Sequence, residues 1–253
     1  MQGLAIVGPP KTGKTLLARR WVVAQFAVIP TGDDIPYVFI DLPRLTTPRG
    51  IAERCLAALG DPSAVRGKIF SMEHRMQVLL RTCATRLLVV DQLERLFENE
   101  RRRVLYTCVD LFKQMTRDAG VSIVFLGEQG VTESILSICP PLERLVGEPR
   151  LLSPFAWDER KPQTVEEFRT LMRVIDEKLP LDDSGLDEED MAYRIWYATS
   201  GALGWIIALI RPAAKRAVTG HFATLNRHLL AEAYDTCIAS TPMEHGKANP
   251  FSR

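Results

Sequence analysis

The stretch Gly8-Pro9-Pro10-Lys11-Thr12-Gly13-Lys14-Thr15 constrains this chain more than any other feature. It fits G-x-x-x-x-G-K-[ST] at every fixed position. Its flanks fit as well. Leu4–Val7 is an apolar run of the kind that forms a fully buried parallel strand. Leu16 to Phe26 reads as a helix on which Leu16, Leu17, Val22, Val23 and Phe26 form a broad apolar stripe. Strand, glycine loop and helix in that order aim backbone N–H groups and a helix N-terminus at phosphates. The expected nucleotide-binding residues are therefore Gly8, Pro9, Pro10, Lys11, Thr12, Gly13, Lys14, Thr15 and Leu16. Lys14 would reach the β- and γ-phosphates, Gly13 would leave room for them, and the Thr15 hydroxyl would ligate Mg²⁺. ATP and Mg²⁺ are the expected cofactors.

The next segments extend the pattern. Pro36 to Leu42 is a second buried strand. Thr85 to Phe97 contains a third, Leu87–Val90, which ends in Asp91; an aspartate there is the expected second Mg²⁺ contact, through water. Val121 to Glu128 is a fourth strand and Pro149 to Phe155 a short fifth, with helical segments at 48–59, 71–84 and 101–118. Strands alternating with helices predict an α/β fold, a doubly wound parallel five-stranded sheet whose ligand lies at the carboxyl ends of its strands. A strand between the phosphate-loop strand and the Asp91 strand resembles the additional-strand P-loop ATPases, AAA+ proteins included, more than nucleotide kinases or Ras-like GTPases.

Beyond about residue 155 the pattern is all helical. Thr164-Val165-Glu166-Glu167 reads as a capping box, followed at helical spacing by Val165, Phe168, Leu171, Met172, Ile175 and Leu179. Further helices are expected near 188–199, in "SGALGWIIALIRPAAKRAVTG" and in "FATLNRHLLAEAYDTCIAS". The expected organisation is an AAA+ nucleotide-binding core at 1–155, a small helical lid at 156–240 and a flexible tail at 241–253.

Composition removes several classes. The 253 residues are 46% hydrophobic and 25% charged, with a net charge of +1, so nothing pulls the whole chain toward nucleic acid and any DNA contact must be local. Cys55, Cys83, Cys108, Cys139 and Cys237 show no C-x-x-C spacing and the four histidines are scattered, which suggests neither a zinc site nor a disulfide framework. An odd number of dispersed cysteines suits a reducing cytoplasm. The apolar run "ALGWIIALI" is about half a membrane span, so no membrane partner is expected. No secretory signal is read at the start.

With these parts in place, the sequence resembles the TnsC/TniB group of AAA+ transposition regulators. "YVFIDLPRLTTPRGIAERCLAALGDP" is similar to the family's second strand, basic loop and helix. "VLLRTCATRLLVVDQLERL" is similar to its Walker B approach, "GVSIVFLGEQG" to its fourth strand and "PLERL" to its arginine-bearing segment. "FRTLMRVIDEKLPL" and "TSGALGWI" resemble its lid. The resemblance implies ATP binding, homo-oligomeric rings or filaments on double-stranded DNA, and a link between a target-selection protein and a transposase. Family members carry a longer segment before the first strand, so a piece cut from a longer chain is expected.

Three positions depart from the family's pattern. The Walker B aspartate is usually followed by a glutamate that polarises the attacking water; here Asp91 is followed by Gln92, which can orient water and cannot take its proton. Binding with slow or absent hydrolysis is expected, with Glu94, three residues after Asp91, as the alternative carboxylate. The sensor-1 position falls on Glu128 and the sensor-2 position on Trp205, either a core residue or an adenine-stacking one. Asp91, Gln92, Glu128 and Arg144 are the candidate catalytic residues. Arg144 aligns with the arginine finger, with Arg150 as its rival.

Two basic loops, with Arg44 and Arg49 in "LPRLTTPRG" and Arg66 and Lys68 in "SAVRGKIFS", correspond to the family's DNA-tracking loops. Alone they read as ordinary solvated charge; the resemblance makes them the candidate DNA contacts. No aromatic alternates with these charges, so phosphate-directed, salt-sensitive binding is expected. The "ENERRR" run at 98–103 reads as a solvated helix start. The expected function is an ATP-dependent regulator that oligomerises on DNA, the alternatives being an AAA+ loader or motor and a STAND-type signalling ATPase.

Overall fold

The computed structural model describes residues 3–25, 34–98, 102–239 and 248–252. They fall into two compact units: one of Met1–Pro10 with Lys14–Leu152, the other of Ser153–Arg253 with Lys11–Gly13.

In the first unit, β1 (Gly3–Gly8), β2 (Tyr37–Asp41), β3 (Leu87–Asp91), β4 (Ser122–Glu128) and β5 (Arg150–Leu151) form one sheet in the order β2-β3-β4-β1-β5. Every pairing is parallel, as the sequence predicts, and β4 lies between β1 and β3. All five residues of β3 are buried, which a strand covered on both faces requires of its side chains. The register sets Gly8 beside Glu128 and Asp41 beside Asp91, so the strands' carboxyl ends line one edge.

One face of the sheet is covered by α1 (Lys14–Gln25), through Ala18 and Val22 against Leu87, Val89 and Leu126. The expected stripe is corrected here. Leu16, Leu17 and Val23 are about half exposed, Trp21 with them, and Phe26 lies outside the described residues. With α1 starting at Lys14, the row facing the sheet runs through 18 and 22, and at about 100° per residue Leu16 and Val23 point the opposite way.

The other face carries the larger core. It is built by α2 (Pro48–Ala58), α3 (Ile69–Thr82), α4 (Arg102–Asp118), α5 (Gln129–Ile138) and α6 (Pro140–Val146). Thr47 caps α2, its hydroxyl accepting from the Gly50 N–H at 3.1 Å, and Pro48 takes the first helical position, where no N–H is needed. On α4, Leu105, Cys108, Val109, Phe112 and Met115 repeat at helical spacing, and Phe112 meets Phe125 edge to face at 5.1 Å and 85°. Such a pair adds about 1 kcal/mol beyond its burial. Burial pushes the Cys55 and Cys108 thiols up to about 12, and all five cysteines are free. Part of the charged run at 98–103, residues 99–101, lies outside the described residues.

The second unit is helical: α7 (Pro162–Asp176), α8 (Glu189–Thr199), α9 (Leu203–Thr219) and α10 (Arg227–Cys237), packed around Phe168, Met172, Ile195, Ile206 and Leu230. The predicted capping box is not the start of α7. The helix begins at Pro162, and Thr164 sits in its first turn, accepting from the Asp158 N–H at 3.1 Å and donating to the Lys161 carbonyl at 2.9 Å. Proline's fixed φ starts the helix earlier than the threonine signal. The buried Asp176 accepts from the N–H groups of Ser184 (3.1 Å) and Leu186 (3.0 Å), which pins the polar connector to the helix end. Residues 248–252, expected in a flexible tail, are held: Asn249 donates to the Ala231 carbonyl at 3.0 Å and to Asp235 at 2.9 Å, and Phe251 is buried against Tyr234. The rest of that segment, 241–247 and 253, lies outside the described residues. Among the described residues, no helix is long and apolar enough to cross a membrane.

Candidate functional site

The phosphate loop leaves β1 at Gly8 and enters α1 at Lys14. Between them Lys11 and Gly13 take positive φ, 65° and 98°. Gly13 needs its missing side chain twice, for that φ and because a Cβ there would lie 3.2 Å from Leu203. The Lys14 ammonium donates to the carbonyls of Gly8 at 2.8 Å and Pro9 at 2.9 Å, which leaves one of its three protons for another acceptor. Burial lowers its pKa, while Glu94, Glu128 and Asp91, in that order, oppose the shift.

Thr15 Oγ1 donates to Asp91 Oδ2 at 2.6 Å, and Asp91 Oδ1 accepts from the Gln92 N–H at 2.8 Å. A hydroxyl and a buried carboxylate thus stand side by side where the loop meets the end of β3. This oxygen pair fits a Mg²⁺ that takes Thr15 directly and Asp91 through water. Among the described residues, no group of three or more His, Cys, Asp or Glu could hold a metal, so such a cation would complete its shell with water and phosphate oxygens.

Past Asp91 the chain turns sharply. Gln92 is left-handed (φ 63°, ψ 49°), and its Oε1 is buried with no hydrogen-bond partner among the described residues. A 3₁₀ turn, Leu93–Leu96, follows, anchored by its buried leucines and by the Arg95 guanidinium, which donates to the Leu42 carbonyl. Between those anchors Glu94 reaches β4, where its Oε2 accepts from the Glu128 N–H at 3.2 Å. Burial raises the Glu94 pKa. Asp91, Gln92 and Glu128 thus gather at the carboxyl ends of β3 and β4 as the sequence predicts, with Glu94 beside them. An open cleft of about 540 Å³, lined by Pro9, Pro10, Phe97, Glu128 and Gly130 among others, adjoins this edge. Arg144 on α6 and Arg150 on β5 are exposed, with no ion pair among the described residues.

Trp205, in the second unit, is half-buried. The Lys11 ammonium lies 5.4 Å from its ring centroid, the neighbouring Gly204 N–H donates to the Lys11 carbonyl at 2.7 Å, and its own Nε1 is buried without a hydrogen-bond partner among the described residues.

The basic loops divide into braces and free charges. Arg49 donates to Glu53 (2.9 Å), to the Gly67 carbonyl (3.0 Å) and to the Val65 carbonyl (2.8 Å). Arg75 donates to Asp61 (2.9 Å) and to the carbonyls of Ser63 (2.9 Å) and Arg66 (3.1 Å). The Ser63 N–H and Arg75 hold the Asp61 carboxyl below the usual range. Two guanidiniums therefore fix the loop, and Gly67 turns it at φ 108°. Arg44, Arg66 and Lys68 are exposed and have no ion pair among the described residues. No aromatic alternates with these charges, but Phe70, 81% exposed in the first turn of α3, follows Lys68 by two residues. Sequence reasoning missed the braces, for Arg75 lies in α3 and no motif marks it.

Residues 2–135 match the family model described as the AAA domain. The chain belongs to the AAA family. Among solved structures, this AAA protein is similar to Cdc6p from Pyrobaculum aerophilum, with a TM-score of 0.68 and 17% identity over 96% of this chain and 62% of that one. It is also similar to the ORC2 protein of Aeropyrum pernix, solved as ADPNP–ADP complexes (TM-score 0.64, 15% identity, 95% of this chain and 63% of that one). The ORC1 protein of the same organism, solved in complex with DNA, gives a TM-score of 0.63 and 15% identity, over 93% of this chain and 59% of that one. The chain spans about three fifths of the length of these proteins, and at such identities the likeness shows a shared AAA+ P-loop ATPase fold. No curated protein matches the chain.

Proposed function

We propose that this AAA protein is a nucleotide-gated DNA-binding assembly factor of the TnsC/TniB kind. Bound ATP and Mg²⁺ would join one copy to the next along duplex DNA. The resulting array would connect a target-selection protein to a transposase, as the sequence resemblance implies. The observation that carries the reading is the braced loop, in which Arg49 and Arg75 hold the backbone while Arg66 and Lys68 are exposed, with no ion pair among the described residues. Charge presented on a rigid loop binds phosphate at less entropic cost than charge on a loose one. A net charge of +1 makes that local patch, and not the whole molecule, the electrostatic footprint.

Other features support the reading. The Thr15–Asp91 pair suits a metal-bound triphosphate. Arg144 would reach a neighbour's γ-phosphate, with Arg150 as the rival. The similar ORC1 structure holds DNA, and a katanin structure of the same fold (TM-score 0.55) concerns self-assembly. Five free cysteines suit a reducing cytoplasm.

Electron microscopy of the protein with duplex DNA and a non-hydrolysable ATP analogue tests the reading. Ordered filaments or rings that need the nucleotide support it; equal assembly without nucleotide refutes it. A loader or motor instead shows fast, DNA-stimulated ATP turnover.

A further inference from the structure

We propose that Glu94, and not the residue directly after Asp91, is the general base for ATP hydrolysis in this protein. The inference rests on the nucleotide-binding reading above and adds a residue to that site.

Three observations point to it. Gln92 occupies the usual position of the base, but its amide cannot accept a proton at neutral pH, and its Oε1 is buried in a left-handed turn. The 3₁₀ turn then fixes the direction of the next carboxylate. Leu93 and Leu96 are sunk in the core and Arg95 is tied to the Leu42 carbonyl, so Glu94 is aimed along the sheet edge toward Glu128, whose N–H it accepts at 3.2 Å. That edge is where the phosphate loop starts, at Gly8. Gly8, registered beside Glu128, accepts from the Lys14 ammonium at 2.8 Å, so the same strand edge carries both Lys14 and the Glu94 carboxylate. On the nucleotide-binding reading Lys14 takes the β- and γ-phosphates, and Glu94 lies on the strand edge that faces them. Its half-buried position also suits a base that must hold a proton briefly.

The step balances. A water oxygen bonds to the γ-phosphorus as one of its protons passes to the Glu94 carboxylate. The bond from that phosphorus to the β–γ bridging oxygen breaks, its electron pair leaving with ADP. Inorganic phosphate forms, and the proton goes from Glu94 to phosphate or solvent. No other reactant is needed.

The Glu94–Glu128 contact would also matter if it only held two strand ends together, so the test must separate the roles. Glu94→Gln keeps an oxygen that can accept the Glu128 N–H and removes only the basicity. Wild type and variant are compared with duplex DNA by single-turnover ATP hydrolysis across pH and by titration with a fluorescent ATP analogue. The expected result is a rate at least about 100-fold lower in the variant, an acid-side fall of rate seen only in the wild type, and unchanged nucleotide affinity. Hydrolysis by Glu94→Gln within a few-fold of wild type overturns the proposal, as does a wild type that binds the analogue but turns over no faster than the variant. A wild type that fails to bind the analogue overturns the nucleotide reading, and this inference with it.

Discussion

The Arg49 guanidinium donates to the Gly67 carbonyl at 3.0 Å, tying the start of α2 to a loop 18 residues farther along the chain. With the second bond to Val65, this makes Arg49 a brace within the basic surface, and Arg66 and Lys68 are the proposed phosphate contacts. The two roles separate by salt dependence. Arg66→Ala/Lys68→Ala removes two candidate phosphate contacts and should flatten the slope of log K against log salt by about 1.8. Arg49→Ala should weaken DNA binding with a smaller change of slope, because it loosens the loop and leaves both cations present. It should cost about 1 kcal/mol of stability or less, since the side chain is exposed. Fluorescence anisotropy over a salt series, with thermal melts of each variant, checks both.

Lys14→Ala should abolish nucleotide binding and DNA assembly together while the fold persists. Burial already penalises the charged form of Lys14, so the variant should melt no lower than the wild type in nucleotide-free buffer. Saturating ATP and Mg²⁺ at 100 times Kd should stabilise the wild type by about 2.7 kcal/mol and leave the variant unmoved. Differential scanning fluorimetry reads the contrast directly.

Glu94 also predicts a pH effect on stability. Its folded pKa is raised above the ordinary 4.5 by burial, so the folded state binds the proton more tightly than the unfolded chain. The favourable contribution is fully present below about pH 4.5 and is lost as pH rises through the raised folded value. Glu94→Gln carries no such charge. It should therefore melt higher than the wild type at neutral pH, and the difference should shrink as pH falls toward 4.5. Calorimetry at a series of pH values checks the sign.

Phe251 anchors the end of the described chain. Phe251→Ala removes a ring only 4% exposed and should cost about 3 kcal/mol. Trp157, Trp196 and Trp205 all lie in the second unit, so tryptophan fluorescence during urea unfolding reports mainly on that unit. A loose tail would give no change.

Much of the first unit was legible before folding, because its signals are short-range. The loop from Gly8 to Thr15 is a local geometry, and a strand buried on both faces announces itself as an unbroken apolar run, as Leu87–Val90 does. Element ends were less legible. Thr164 looked like a cap until Pro162 began α7 ahead of it, and the α1 stripe was misplaced because apolar side chains alone do not say which row meets the sheet.

The sequence by itself determined that a parallel sheet carries a phosphate loop, with Lys14, Thr15 and Asp91 at its carboxyl edge, since residue type and spacing within each segment suffice for that. Tertiary structure alone decided that Gln92 turns inward while Glu94 meets Glu128, and that Arg49 and Arg75 brace the loop from which Arg66 and Lys68 project. These outcomes depend on hydrogen bonds between segments far apart in the chain and on which side of a turn is buried. Neither exists until the sheet and its helices have packed.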